Sequence, residues 1–138
     1  MKLLIDTNII LDILLQREPY YKNAAKISIL SEKGHVCSYV SASAVTDIFY
    51  VMKKELKNKD LALELLKNIL KIVHVAAVTE SSIYEALDLQ WDDFEDSVQY
   101  IAGQSISADY IITRNPNDFS GSNIKVLSPE EFINQIVS

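Results

Sequence analysis

An α/β fold of three layers, a central twisted, mainly parallel sheet flanked by helices, is what this sequence predicts, and three observations predict it. Short apolar runs without period-two alternation recur, such as Leu3-Leu4-Ile5 and Tyr110-Ile111-Ile112, as strands buried on both faces require. Between such runs lie segments with apolar residues at helical spacing, so strands and helices alternate. With only 3 Gly and 3 Pro among 138 residues, connections should be short and no linker divides the chain. About five strands are expected, in one domain over residues 1–138.

Strand one is Leu3 to Ile5, and it ends by delivering Asp6-Thr7-Asn8. Ile9, Ile10, Ile13 and Leu14 mark a short helix that stops before Pro19. A second helix runs from about Tyr20 to Lys33, closed by Gly34. His35 to Val40 reads as strand two, after which Ser41 or Ser43 caps a helix carrying Val45, Ile48, Phe49 and Met52. Asn58 and Asp60 open the next helix, with Leu61, Leu65, Ile69 and Leu70 on its buried side. Val73 to Val78 is strand three, and Glu80 to Leu89 a helix. Asp93 caps a helix through Ser105, and strand four is Tyr110 to Thr113. Asn115 to Asp118 is a loop, Ile124 to Leu127 strand five, and Ser128-Pro129 a cap and first helical turn.

Composition narrows the function classes. The net charge of -6 argues against a protein that coats nucleic acid passively. Its distribution is uneven: residues 72–113 hold eight acidic side chains and no Lys or Arg. Part of that block is a solvated face, and a one-sided block of acids can also be neutralised by bound divalent cations. A single cysteine, Cys37, excludes an internal disulfide and reads as a small core residue. No charged-then-apolar leader precedes strand one and no apolar run approaches spanning length, so a cytoplasmic protein with no membrane contact is expected.

In a parallel sheet, strand ends and the following helix starts share one edge, where ligands sit. Asp6 ends strand one; Asp47 lies early in the helix after strand two; Asp93 and Asp96 open a helix; Asp118 follows strand four. For Asp6-Thr7-Asn8 alone, a turn and a helix cap explain the residues as well as a site does. Asp47 stands beside the apolar Val45 and Ile48, where an acid is costly unless paired or metal-bound. Asp93 and Asp96 share a helix face; Asp93 is assigned to the cap and Asp96 to the site, while Asp92 and Glu95 point elsewhere. Three or four converging carboxylates without histidine suit Mg²⁺ or Mn²⁺, hard cations that prefer oxygen. His35 and His74 sit in strand-like runs and are read as structural.

Five segments carry a family resemblance: Leu4 to Asp12, Ser41 to Val51, Asp93 to Tyr100, Ala108 to Asn115, and Asp118-Phe119. Together and in this order the chain resembles PIN-domain proteins over its full length, and within them the VapC-like toxins of type II toxin–antitoxin systems. The resemblance implies a metal-dependent endoribonuclease that uses one or two Mg²⁺ or Mn²⁺ ions. Asp6 would be the central metal ligand and catalytic residue, with Asp47 in a position where many members have glutamate, and Asp96 third. The fourth place, where members often have an acid directly after Thr-Arg, holds Asn115 here; either Asp118 substitutes for it or the site operates with three carboxylates. Asn8 and Thr113 would hydrogen-bond the ligands. Arg17 and Arg114, the only arginines, lie close in sequence to these segments and offer forks for phosphate; salt bridges to nearby acids are the equal alternative. Lys53, Lys54, Lys57 and Lys59 form the densest basic run. The implied partners are an RNA substrate, a small cognate antitoxin and, through the apolar face of the N-terminal helices, a second copy of the chain.

Three other classes compete. A haloacid-dehalogenase-like phosphatase also places an aspartate after strand one, but wants an acid where Asn8 stands. A phospho-receiver module needs an acidic pair at strand one and a late lysine, where this chain has Thr113-Arg114. A PIN-like scaffold that only binds a partner is kept open by Asn115.

Overall fold

Leu3, Leu4 and Ile5 are 0%, 0% and 1% exposed, and their burial from both sides makes them the centre of the fold. In the computed structural model, which describes residues 1–137, they belong to β1 (Lys2–Ile5), with a parallel neighbour on each side. Ser138, the last residue of the expected domain, lies outside the described residues. The chain continues through α1 (Thr7–Leu14), α2 (Tyr21–Glu32), β2 (Cys37–Ser41), α3 (Ala42–Leu56), α4 (Lys59–Ile69) and β3 (His74–Ala76). Then follow α5 (Glu80–Leu89), α6 (Phe94–Ser105), β4 (Tyr110–Ile112), β5 (Lys125–Leu127) and α7 (Pro129–Phe132), the last running into a π-helical turn at Ile133–Val137.

The strand order is β3-β2-β1-β4-β5, and all four pairings are parallel. The chain builds outward from β1 to β3, then crosses to the other side of β1 for β4 and β5. That reversal opens a crevice beyond the carboxyl ends of β1 and β4, the place where open α/β sheets bind ligands. Strand alternation sends Leu3 and Ile5 to one face, among Ile9, Ile27, Ile48, Ala62 and Phe132 from α1, α2, α3, α4 and α7. Leu4 points to the other, among Ala86, Val98 and Ala102 from α5 and α6. Burying each such aliphatic side chain stabilises the fold by about 2 kcal/mol. Gly103 lets α6 approach β1 closely, because a Cβ there would stand 3.2 Å from Leu4 Cδ2.

Helix ends show which sequence signals acted. Ser128 and Glu131 form a capping box around Pro129, and Thr79 and Ser82 form another at α5. Asn58 caps α4, accepting from Leu61 N–H at 3.0 Å, and Gly34 closes α2 with φ 79°. Four expectations are corrected. Ser41 occupies the cap position of α3, but its hydroxyl pairs with that of Ser43 at 2.9 Å and caps no backbone donor. Leu61 is 37% exposed, because Ala62 and Ile69 carry the buried face of α4. The stretch read as a loop after strand four contains a 3₁₀ turn at Pro116–Phe119, which buries Phe119. Cys37 is only half-buried at the start of β2. Among the described residues, no helix is long and apolar enough to cross a membrane.

Candidate active site

Asp6 follows directly on β1, where its backbone N–H donates to Ile112 O of β4 at 2.9 Å and its carbonyl starts α1 by accepting from Ile9 N–H at 3.0 Å. The turn-and-cap explanation fails for its side chain, which occupies the N-cap position but makes no cap hydrogen bond. Instead Thr113, just past β4, donates its hydroxyl to Asp6 Oδ2 at 2.8 Å. Gln99 of α6 also hydrogen-bonds Asp6 through its side chain. Asp6 is 7% exposed, and burial pushes its carboxyl above the usual range. The hydrogen bonds from Thr113, Gln99 and the Thr7 backbone work against that shift, and the charge of Asp118 adds to it.

What Asp6 faces is a cavity of about 370 Å³ at the crevice, lined by Asp6, Asp47, Asp93, Glu95, Asp96 and Asp118, with no Lys, Arg or His among its walls. Asn8 and Gln99 also line it. Asp47 reaches it from α3 together with Tyr50 and Val51, one helical turn on. The Asp47 side chain is exposed there, so it does not bear on the apolar face of the helix. Asp93 caps α6, accepting from Asp96 N–H at 3.1 Å, as expected. Asp96 is partly buried, and burial with the charges of Asp93, Asp6, Asp118 and Glu95 raises its pKa to about 7.

Not all of the predicted site residues line the cavity. Thr113 is buried behind Asp6 and also accepts from Asn115 N–H at 3.2 Å. The Asn115 side chain is exposed and does not line the cavity, whereas Asp118 does. Neither arginine lines it. Arg17 donates to Glu55 of α3 at 2.8 Å. Arg114 Nε lies 3.0 Å from Asp12 Oδ2 of α1, without the alignment of a hydrogen bond, and its guanidinium stacks 4.1 Å above the Tyr20 ring. Each arginine thus ties α1 or its C-terminal end to an element that carries a site residue: α3 with Asp47, and the end of β4 with Thr113. The lysine run at the end of α3 is exposed. His74 is exposed against Tyr39, ring centroids 5.2 Å apart, and His35 is exposed at a strand end.

Three residues went unrecognised in the sequence. Glu95 faces the cavity, contrary to expectation: Thr7 donates its hydroxyl to Glu95 Oε1 at 3.3 Å, and partial burial, then the charge of Asp47, raises its pKa. Gln99 is 1% exposed, and its spacing of three from Asp96 was the available signal. Asp12 is fully buried, its pKa raised by burial and drawn back by Arg114 and Arg17.

The donor set fits a hard cation in kind: oxygen donors alone, and mutual repulsion that a positive charge would relieve. The carboxylates are spread around the cavity, and among the described residues no three His, Cys, Asp or Glu side chains are gathered as a ready ligand set.

Comparison with known families settles the fold's ancestry. The PIN-domain family profile matches residues 2–117. The chain belongs to the PIN-domain family. Solved PIN-like neighbours agree in fold. A chain of VapBC2 from Rickettsia felis, bound to a DNA fragment from its promoter, superposes with a TM-score of 0.72 at 15% identity, over 93% of this chain and 98% of that one. VapC20 from Mycobacterium tuberculosis, described as a sarcin–ricin loop cleaving toxin, gives 0.64 at 13% identity over 79% and 86%. A toxin–antitoxin complex from Klebsiella pneumoniae gives 0.63 at 18% identity over 91% and 96%. No curated protein matches this PIN-domain chain significantly.

Proposed function

We propose that this PIN-domain chain is a metal-dependent endoribonuclease, the toxin of a type II toxin–antitoxin pair. One observation carries the reading: Asp6, buried at the switch point of the sheet and held by Thr113, faces a cavity with five further acidic residues in its walls. Such a cavity repels an RNA backbone unless a cation stands between them. One or two Mg²⁺ or Mn²⁺ ions held by Asp6, Asp47, Asp96 and Asp118 would supply that charge and the Lewis acidity for phosphodiester hydrolysis. The chain's own residues prepare the site. Thr113 and Gln99 hold Asp6 in one orientation, and Asp93 fixes the start of α6, which aims Asp96 and Glu95 inward. Asn8 offers a neutral amide at the cavity wall. Arg17 and Arg114 keep α1, α3 and the end of β4 in register around it.

A small antitoxin, whose segment would cover the acidic edge, belongs to the same reading, as does a homodimer in the cytoplasm. VapBC2 and the Klebsiella complex, both similar in fold, support the antitoxin. The test is cleavage of single-stranded RNA by folded, antitoxin-free protein. Wild type should cut with Mg²⁺ or Mn²⁺ and stop with EDTA, and Asp6→Asn should not cut under either condition. Wild type that is folded yet inert with both metals would instead support a partner-binding scaffold, the reading that the spread carboxylates favour.

A further inference from the structure

A second cavity, of about 340 Å³, opens beside the acidic one and shares Asp93, Asp96 and Asp118 with it, so the two form one trough. Its distinctive wall is Trp91, the sole tryptophan of the chain. The indole is braced from within by Tyr100, ring centroids 4.9 Å apart at 30°, and edge-on by Phe119 at 6.1 Å. Gly121 presses against its edge: a Cβ there would stand 2.8 Å from Nε1, so only glycine leaves the ring where it is. Around the ring stand the uncharged polar side chains of Gln90, Asn117 and Ser120, with the carboxylate of Asp92 beside them, all exposed. A braced aromatic ring beside neutral hydrogen-bonding groups is the chemistry that recognises an unpaired nucleobase. The carboxylates of Asp92, Asp93, Asp96 and Asp118 disfavour a bare phosphate against this wall, so it is the neutral base that meets Trp91.

We propose that the Trp91 groove is a nucleobase subsite, in which an unpaired base of single-stranded RNA next to the scissile phosphate stacks on the indole. This rests on the ribonuclease reading above. A duplex cannot fill the subsite, since its bases are already stacked and paired, so the groove also selects single strands.

Because Trp91 is the only tryptophan, its fluorescence reports on this groove alone. Cleavage-deficient Asp6→Asn protein with Mg²⁺ is titrated with single-stranded hexanucleotides of adenylate, cytidylate and uridylate, with an RNA duplex, and with a short arginine-containing peptide. Saturable quenching by single strands and none by duplex is expected. In an otherwise wild-type background, Trp91→Leu should raise KM for RNA about ten-fold or more with kcat little changed. Trp91→Phe, which keeps a ring against Tyr100 and Phe119, should raise it less. Wild type that cleaves RNA, while no oligonucleotide alters Trp91 emission, overturns the subsite and leaves the nuclease standing. Quenching by the arginine peptide alone overturns it in favour of a partner segment, and failure of wild type to cleave or bind RNA overturns both readings.

Discussion

Replacing Asp96 by asparagine should stabilise this protein above neutral pH in the absence of divalent cations. In the folded chain the Asp96 carboxyl gives up its proton at about 7, against 3.8 unperturbed, because it is partly buried and faces Asp93, Asp6, Asp118 and Glu95. Between pH 3.8 and about 7 the folded state therefore keeps a proton that the unfolded chain has lost, so stability falls as pH rises through that window and stays low above it. A displacement of that size corresponds to at most about 4 kcal/mol. Asp96 is partly solvated, and screening reduces the effect to about 1–2 kcal/mol. Asparagine keeps the shape and removes the charge. Urea denaturation in EDTA should show Asp96→Asn more stable than wild type by about 1–2 kcal/mol at pH 8, and the two about equal at pH 4, where wild type is itself neutral at this site. Mn²⁺ at pH 8 should narrow the gap by stabilising wild type more. A gain of the same size at both pH values, or a loss at pH 8, would refute the argument that repulsion at this site opposes folding.

Further consequences concern the groups behind the acids. Thr113→Val keeps the buried shape but removes the 2.8 Å donor to Asp6, so cleavage should fall about ten-fold or more, with about 1 kcal/mol lost in urea denaturation. Gln99→Met should split the two readouts. Gln99 Oε1 is buried without a hydrogen-bond partner, so stability should hold or rise by about 1 kcal/mol, while cleavage and Mn²⁺ affinity drop about ten-fold or more as Asp6 loses its amide. Arg114→Ala leaves Asp12 fully buried without its nearest counter-charge, and denaturation at pH 7 should show a loss of about 3 kcal/mol.

The parts legible in the sequence were those written in local chemistry. Unalternating apolar runs marked β1 and β4, and Asp93 and Ser128 marked helix starts that the structure repeats. Asp6, Asp47, Asp96 and Asp118 could be grouped because parallel strands bring their carboxyl ends to one edge, and all four line the cavity. Glu95 was misplaced because helical spacing assigns it a different face from Asp96. Only at a helix end can both faces serve one cavity, and α6 begins at the cavity wall. Asp12 and Arg114 were hidden by their distance along the chain: their pairing depends on how α1 lies against the end of β4. Gln99 was hidden by its type, since an amide among Val98, Tyr100 and Ile101 looks like a boundary residue until its neighbour proves to be a carboxylate.

Where the chain obeys the rules of stability and where it breaks them divides the molecule in two. The capping boxes at α5 and α7 satisfy their backbone donors, and the aliphatic contacts of β1 are complete on both faces. Around the crevice the pattern inverts: Asp6 is an acid at 7% exposure, Gln99 leaves a buried acceptor unpaired, and six acidic residues line one cavity without a cationic side chain. Local strain of this kind opposes folding, and a sequence shaped for stability alone would not gather it at one place. Apart from the buried Asp12–Arg114 pair, these costs gather at the switch point of the sheet, the edge where α/β sheets bind ligands, which ties them to function. The Asp96→Asn and Gln99→Met variants probe that link from two independent groups, one charged and one neutral. Stability gained in Asp96→Asn and held or gained in Gln99→Met, with cleavage lost in both, is the outcome that a trade between folding and catalysis requires.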